Sequence, residues 1–230
     1  MPDLIRMDNF DILGLAFGAL KRALGDVSEA RAALVRSEDL VAEGEETALK
    51  GLQKTIREHM RVLIDAAQAG GQPVLLRPLD ISGRRIVKRF RDPIYPGGPG
   101  SEGLVFESSL GDAIVSPITG VVCEAGILRP GATWGKRVAV KSPDGKLIVW
   151  VCHMDAVDVS IGEIMNAGDV IGRAGRTGNA VTEQVLMVCQ VLDGGISLPN
   201  VPFPVADPWP MLFEKHPSDV YYLEAATVEK

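Results

Sequence analysis

Residues 136–152 read KRVAVKSPDGKLIVWVC, and this stretch decides the fold class. Two runs rich in β-branched residues, 136–141 and 147–152, flank the sequence Pro143-Asp144-Gly145. Proline presets the backbone for the first corner of a turn, and Asp-Gly tolerates the conformations that a tight turn needs. The segment therefore predicts a β-hairpin.

The same texture continues on both sides of this hairpin. Further β-branched runs alternate with glycine turns at residues 112–116, 119–124, 170–173 and 185–192. Six or more short strands at this spacing predict a compact β barrel or sandwich over residues 101–213. Five prolines follow the last run: Pro199, Pro202, Pro204, Pro208 and Pro210. Prolines at this density predict an extended strap over the β domain.

Residues 1–71 have a helical pattern instead. Apolar residues recur there at steps of three and four: Leu49, Leu52, Ile56, Met60 and Leu63. We expect Asp8 to cap a first helix that ends at Gly25. A second helix is expected from Ser28 to Gly70-Gly71. An antiparallel hairpin and an intermolecular coiled coil both fit. We favour the hairpin, because fewer than about three clean heptads are visible.

Prolines and glycines interrupt residues 72–100, which predicts a linker with loops. Within it, the eight residues from Arg84 to Arg91 include five basic side chains. Their charge fits an anionic partner such as phosphate, a lipid headgroup or a wall polymer. It also fits a short edge strand whose charges prevent pairing with another sheet, and we favour this second interpretation. Residues 214–230 are expected to form a C-terminal tail.

The composition excludes several classes of function. The 24 basic and 30 acidic residues give a net charge of −6, which argues against nucleic-acid binding. No stretch supplies the roughly 20 apolar residues that a membrane span needs. Few side chains can bind zinc through nitrogen or sulfur: His59, His153, His216, Cys123, Cys152 and Cys189. The cysteines form no C-x-x-C pair, so a Cys-rich zinc module is excluded and a reducing compartment is expected.

The N-terminal residues do not have the order of a secretory signal. Residues 10–20 are mainly apolar, but acids precede them and Lys21-Arg22 follow them. A signal peptide carries its positive charge in front of the apolar region. We therefore expect cytoplasmic synthesis without export by the general secretory route.

Several motifs of the β region occur together in a fixed order. They are GDAIVSP at 111–117, WG at 134–135, VWVCHM at 149–154, AGDVIG at 167–172, GRTGN at 175–179 and DPWPML at 207–212. In this order the sequence resembles the lysostaphin or LytM type of zinc peptidoglycan endopeptidase, from about residue 101 to 212. The resemblance implies an α+β chain in which N-terminal helices precede a mainly antiparallel β barrel-sandwich, the duplicated hybrid motif.

The zinc ligands of that family are not retained. The family binds the metal through H-x-x-x-D and through H-x-H. The resemblance places Ser101 and Val105 at the first pair of ligands and Leu186 and Val188 at the second motif. Only His153 falls on a family histidine, the tentative catalytic base. Aliphatic side chains cannot coordinate zinc, so we expect no metal and no cofactor.

Three interpretations of His153 stay open. It is a remnant that lines the groove, a structural hydrogen-bonding residue at a strand end, or a catalytic group in a different chemistry. The turns of the groove are assigned to Gly175, Thr177, Gly178 and Asn179. A zinc site rebuilt from His153, Cys152, Cys189 and Glu183 is disfavoured, because Cys152 and His153 point to opposite faces of one strand. All three cysteines are expected to pack in the core.

Two functions of different classes follow. The first is a non-catalytic LytM-like module that binds or builds part of a larger assembly, such as a phage tail or tail-like particle directed at the cell wall. Its helices 1–71 would dock on protein partners, its groove would hold peptidoglycan, and it could form oligomers. The alternative is an active peptidoglycan endopeptidase with zinc at an atypical site around His153. A third, less favoured function is a carrier module phosphorylated on His153.

Overall fold

The computed structural model describes residues 9–36, 42–69, 73–79, 84–94, 96–126, 132–199 and 201–213. These residues fall into two compact units. The first contains the helices together with Val74 and Phe213, and the second is Leu75–Leu212. In this part of the chain, no helix combines the length and the apolar character that crossing a membrane would require.

The first unit is a pair of helices, α1 (Asn9–Arg36) and α2 (Ala42–Ala69). Gln53 Nε2 donates a hydrogen bond to Ser28 Oγ at 3.0 Å, and Arg31 pairs with Glu46 at 3.0 Å. Because residues late in α1 meet residues early in α2, the helices run antiparallel. This is the intramolecular hairpin that the spacing favours. Phe17, which is 1% exposed, lies 5.3 Å from Phe213, centroid to centroid.

The predicted helix break at Gly25 and Ser28 is wrong, because α1 continues through both residues. Ser28 does not cap a helix: its hydroxyl donates to the Leu24 carbonyl one turn earlier, at 2.7 Å. A glycine inside a helix costs only about 1 kcal/mol, which packing against α2 can offset. The other predicted helix ends, at Asp8 and Gly70-Gly71, lie outside the described residues.

The second unit is a ten-stranded sheet in which all strand pairs are antiparallel. Its strands are β1 Ile86–Lys88, β2 Leu104–Glu107, β3 Ala113–Val115, β4 Gly120–Gly126, β5 Lys136–Lys141, β6 Leu147–Val157, β7 Ile164–Met165, β8 Val170–Ala174, β9 Gln184–Val191 and β10 Val205–Ala206. The order is β1-β2-β9-β6-β5-β4-β7, with β10 on β9, β8 on β6 and β3 on β8. The predicted α+β class is confirmed, although the sheet is not closed into a barrel.

The hairpin between β5 and β6 forms as its sequence predicts. Ser142 N donates to the Leu147 carbonyl at 2.9 Å across the turn. Asp144 Oδ1 accepts hydrogen bonds from Ser142 Oγ and Lys146 N, and Gly145 has a φ of +74°. The turn therefore depends on the short acceptor of Asp144 and on the left-handed conformation of Gly145.

The segment predicted as a linker, 72–100, belongs largely to the β unit. Leu75 and Leu79 are 0% and 1% exposed, and Leu75 N donates to Met211 O at 2.9 Å. Burial of these leucines attaches the segment to the core. Pattern reading misses this, because prolines and glycines dominate the composition.

The basic stretch contains the edge strand β1, which pairs with β2. Two of its arginines meet acids of the same unit: Arg84 lies 2.8 Å from Asp112, and Arg85 lies 3.3 Å from Glu107. The favoured edge-strand interpretation of this stretch therefore agrees with the structure.

The central strands are buried on both faces. Along β9, Val185, Met187 and Cys189 face the main core, whereas Leu186 and Val188 face a second apolar cluster. Residues of β6 alternate in the same way, as period-2 geometry requires. This second cluster contains the positions at which the family resemblance places metal ligands.

Candidate functional site

Three of the four predicted ligand positions meet on one face of the sheet. Val105 on β2 lies directly opposite Leu186 on β9, and Leu186 lies opposite Cys152 on β6. Val188 lies opposite Trp150. Val105, Leu186 and Val188 are 5%, 4% and 0% exposed. We call the face of β2, β6 and β9 that carries these residues the site face.

Ser101, the fourth predicted position, is not part of this apolar cluster. It is buried, and its hydroxyl donates to the Gly103 carbonyl at 2.9 Å. Ser101 N also donates to Asp92 O. These hydrogen bonds of Ser101 fix the position of the chain before β2.

Three aromatic rings cover the site face. Trp150 and Phe203 are stacked, with ring centroids 5.3 Å apart and an interplanar angle of 11°. Trp134 meets them edge-on, at 5.7 Å from Trp150 and 5.9 Å from Phe203. Both arrangements are favourable for aromatic pairs. The site face is therefore filled by rings and aliphatic side chains.

Polar groups at the border of the cluster hold the two tryptophans in place. The Trp134 indole donates to Glu102 Oε2 at 3.2 Å, and the Trp150 indole donates to Gln190 Oε1 at 3.1 Å. The Arg137 guanidinium lies 5.6 Å and 5.2 Å from these two rings, respectively, and pairs with Glu124. Burial raises the pKa of Glu102, and its indole hydrogen bond opposes that shift.

The prediction of a proline-rich strap holds for residues 196–206, of which all but Asn200 are described and which we call the strap. It is wrong for the last two prolines, because Pro208 precedes and Pro210 lies within a short 3-10 helix, Trp209–Met211. Val201, Phe203 and Val205 pack on the site face, whereas Pro202 and Pro204 are exposed. The strap is anchored where β10 pairs with β9, Val205 opposite Gln190. Residues of the chain itself thus occupy the space above the positions at which the family resemblance places metal ligands.

His153 directly follows Cys152 of this cluster in the sequence, and it is buried with an unusual backbone conformation. It is 3% exposed, and its φ of +67° is unusual for a residue other than glycine. Its amide donates to Trp134 O at 3.0 Å, and Nδ1 lies 2.9 Å from Thr177 O. Burial lowers the pKa of His153, against the effect of the carbonyl. These contacts favour a structural role.

The turn with the sequence GRTGN is bound to the strand that carries His153. The Thr177 hydroxyl donates to Met154 O at 2.7 Å and accepts from Lys136 N at 2.9 Å. Gly175 packs so closely on Asp155 that an added Cβ would lie 2.6 Å from its backbone nitrogen. The predicted groove turn therefore joins β5, β6 and the segment before β9.

The end of this turn packs on residues 132–135. Asn179 N donates to Thr133 O at 2.9 Å. Gly178 has a φ of +75°, and a Cβ there would lie 2.3 Å from Thr133 O. Glycine is required at this position both by the backbone conformation and by the lack of space.

The site does not fit the zinc that the family resemblance implies. In the described part of the chain, no three His, Cys, Asp or Glu side chains are grouped to hold a metal ion. Cys152 lies on the site face and Cys189 lies in the main core. The two thiols therefore do not come together in the zinc site considered around His153. Burial raises the pKa of both thiols, which keeps them protonated. The prediction that all cysteines are buried is wrong for Cys123, which is exposed.

The aromatic cluster is the feature that sequence reasoning missed. The sequence places Trp134 and Trp150 in separate motifs and Phe203 between two prolines, and neither pattern predicts that the three rings meet. The alternation in Val201-Pro202-Phe203-Pro204-Val205 is a signal of an extended segment with one apolar face.

Comparison with known proteins supports the family resemblance. The model of Peptidase family M23 matches residues 99–194, which is less than half of the chain. The catalytic domain of lysostaphin from Staphylococcus simulans is 23% identical, with a TM-score of 0.47, over 56% of this chain and 90% of that one. LytU is 25% identical with a TM-score of 0.47, over 56% and 85%.

A third similar structure is a zinc-containing peptidase from Vibrio cholerae, which is 18% identical with a TM-score of 0.46. The match covers 58% of this chain and 41% of that chain. The predicted resemblance to the lysostaphin and LytM type is thus confirmed for the β unit by the family match.

Replacement of His153 tests its structural role. We expect His153→Val to lower the free energy of unfolding by about 2 kcal/mol, because a β-branched residue is strained at positive φ and cannot bond Thr177 O. His153→Asn should cost less, since asparagine tolerates this conformation. Urea unfolding of the three proteins is the measurement. Equal stability of the valine variant and the wild type would contradict the role.

The lowered pKa of His153 predicts a dependence of stability on pH. The unfolded chain binds a proton near the ordinary pKa of 6.5, whereas the folded chain resists it until a lower pH. The stability that His153 confers is therefore present above pH 6.5 and is lost as the pH falls through the folded pKa. The drop below pH 6.5 should be smaller in His153→Asn. Identical pH profiles of unfolding would refute this prediction.

Proposed function

We propose that this chain is a non-catalytic module of M23 type that serves as a binding or structural component of a larger assembly. The observation that carries the proposal is the apolar cluster at the ligand positions. A zinc hydrolase needs about three metal-binding side chains and an open position for water. Here Val105, Leu186 and Val188 stand at those positions, and none of them can bind a metal.

The packing of the site face also supports a pseudoenzyme. Phe203 stacks on Trp150, and both rings belong to the cluster that contains the former ligand positions. Opening a place for a metal and a water molecule would separate these rings. Burial of one large side chain is worth about 1.5–3 kcal/mol, so the filled state is favoured.

The helical unit is the proposed contact with protein partners. Large apolar side chains are exposed there: Ile12 at 53%, Leu15 at 44%, Leu52 at 47% and Val62 at 63%. A contiguous apolar patch is typical of surfaces that bind proteins, and we propose that these side chains belong to one. We propose that the assembly is a phage tail or tail-like particle directed at the cell wall.

Metal analysis and hydrolysis separate this proposal from an active endopeptidase. After incubation with zinc and removal of the unbound metal by dialysis, we expect less than about 0.1 zinc per purified chain. We also expect no release of fragments from peptidoglycan. A catalytically active enzyme of the family is the positive control for both assays. About one bound zinc per chain, with hydrolysis that disappears in His153→Asn, would overturn the proposal and establish the atypical enzyme.

The assembly can be tested through the genes beside this one. Genes for tail and baseplate proteins in the same cluster, together with co-purification of one of their products with the full chain, would support the particle. Neighbouring genes for cell division or amidases would contradict it.

A further inference from the structure

The strap has the form of a bound peptide. In Val201-Pro202-Phe203-Pro204-Val205, the three odd-numbered residues pack on the site face and the two prolines face outward. Side chains of an extended chain alternate between its two faces, so every second residue of the strap packs against the site face. Phe203 occupies the central place, stacked on Trp150.

Few backbone bonds hold the strap to the sheet. Its prolines have no N–H to donate, and the described contacts with β9 are the two-residue pairing of β10 and the bond from Val191 N to Pro204 O at 3.1 Å. The paired bonds of Ile196 and Val205 join the strap to itself. Side-chain packing therefore supplies most of the attachment.

The surface beneath the strap is positioned without it. Glu102 and Gln190 hold the two indole N–H groups, and Arg137 lies against both rings. None of these groups belongs to the strap. When the strap leaves, Trp134 and Trp150 keep the partners that orient them, so a preformed apolar cleft remains.

The entrance to the strap has a conformation that suits a hinge. Gly194 has a φ of +72°, and no atom lies within 4 Å of the position where its Cβ would be. A glycine in open space allows the backbone to rotate at low cost, so Gly194 is the candidate hinge. Gly195 is packed instead, since a Cβ there would lie 2.6 Å from both Pro204 and Val191.

We propose that the site face is a receptor for an extended peptide of a protein partner, with apolar residues at alternate positions, prolines between them and a central aromatic residue. The strap fills this receptor in cis, and the partner peptide replaces it. The strap itself identifies the chemistry of the ligand, because its own side chains are those that fit. This inference rests on the proposed non-catalytic role and specifies the partner of the same site.

The test uses the full chain and a fluorescent synthetic peptide with the sequence of residues 196–206. Phe203→Ala weakens the strap that competes with the peptide, so we expect roughly tenfold tighter binding to this variant than to the wild type, measured by fluorescence polarisation. Pro202→Ala, which changes an exposed residue of the same strap, is the matched control and should bind like the wild type. A peptide with serine in place of its phenylalanine should not bind.

Circular dichroism shows whether the Phe203→Ala chain is folded. Absence of peptide binding to the folded variant would overturn the proposal. If that variant does not fold, Phe203→Leu is used in the same assay, and the same result decides. Binding of peptidoglycan fragments to the same chain, with no binding of the peptide, would also overturn it in favour of a wall ligand. Zinc content and hydrolysis are independent of these results, so failure of the receptor is distinguishable from failure of the non-catalytic role.

Hydrogen exchange on the wild-type chain gives a second measurement. The amide of Val191, which donates to Pro204 O of the strap, should exchange at least about tenfold faster than the amides in the middle of β9, because the strap opens without global unfolding. Equal exchange rates at Val191 and in the middle of β9 would show a permanently attached strap and would contradict the proposal.

Discussion

Burial of β6 and β9 on both faces is the constraint on which the β unit depends. Each strand sends alternate residues into the main core and into the cluster on the site face. A strand in an antiparallel sheet usually has one face in water, so its polar side chains have an exposed place. Here the second face needs a cover, and the strap supplies it through Val201, Phe203 and Val205.

The aliphatic ligand positions and the strap are therefore two parts of one arrangement. Burial of Val105 and Leu186 is favourable because the strap excludes water from them, and the strap is held by packing on these apolar side chains. The residues around His153 are a separate structure. That histidine, Thr177 and Gly178 keep three chain segments together through hydrogen bonds to the backbone and one close approach of the chain.

The strands were predictable from the sequence because their signals are local. The conformation of each segment follows from its own residues, as in the β-branched runs, the Pro-Asp-Gly turn and the prolines of the strap. The passage of α1 through Gly25 was not predictable, since packing against α2 overrides a weak propensity. Only the family resemblance places metal ligands at Val105, Leu186 and Val188. Their enclosure by Phe203 was not predictable, because contact between residues far apart in sequence leaves no local pattern.

The stacked pair of Trp150 and Phe203 also has an evolutionary consequence. A single change such as Val105→Asp would place a carboxylate among aliphatic side chains without a metal or a hydrogen-bonding partner, which costs several kcal/mol. A metal site at this place would require several ligands to arise together with loss of the strap's packing. Each single substitution toward such a site therefore destabilises the cluster by itself.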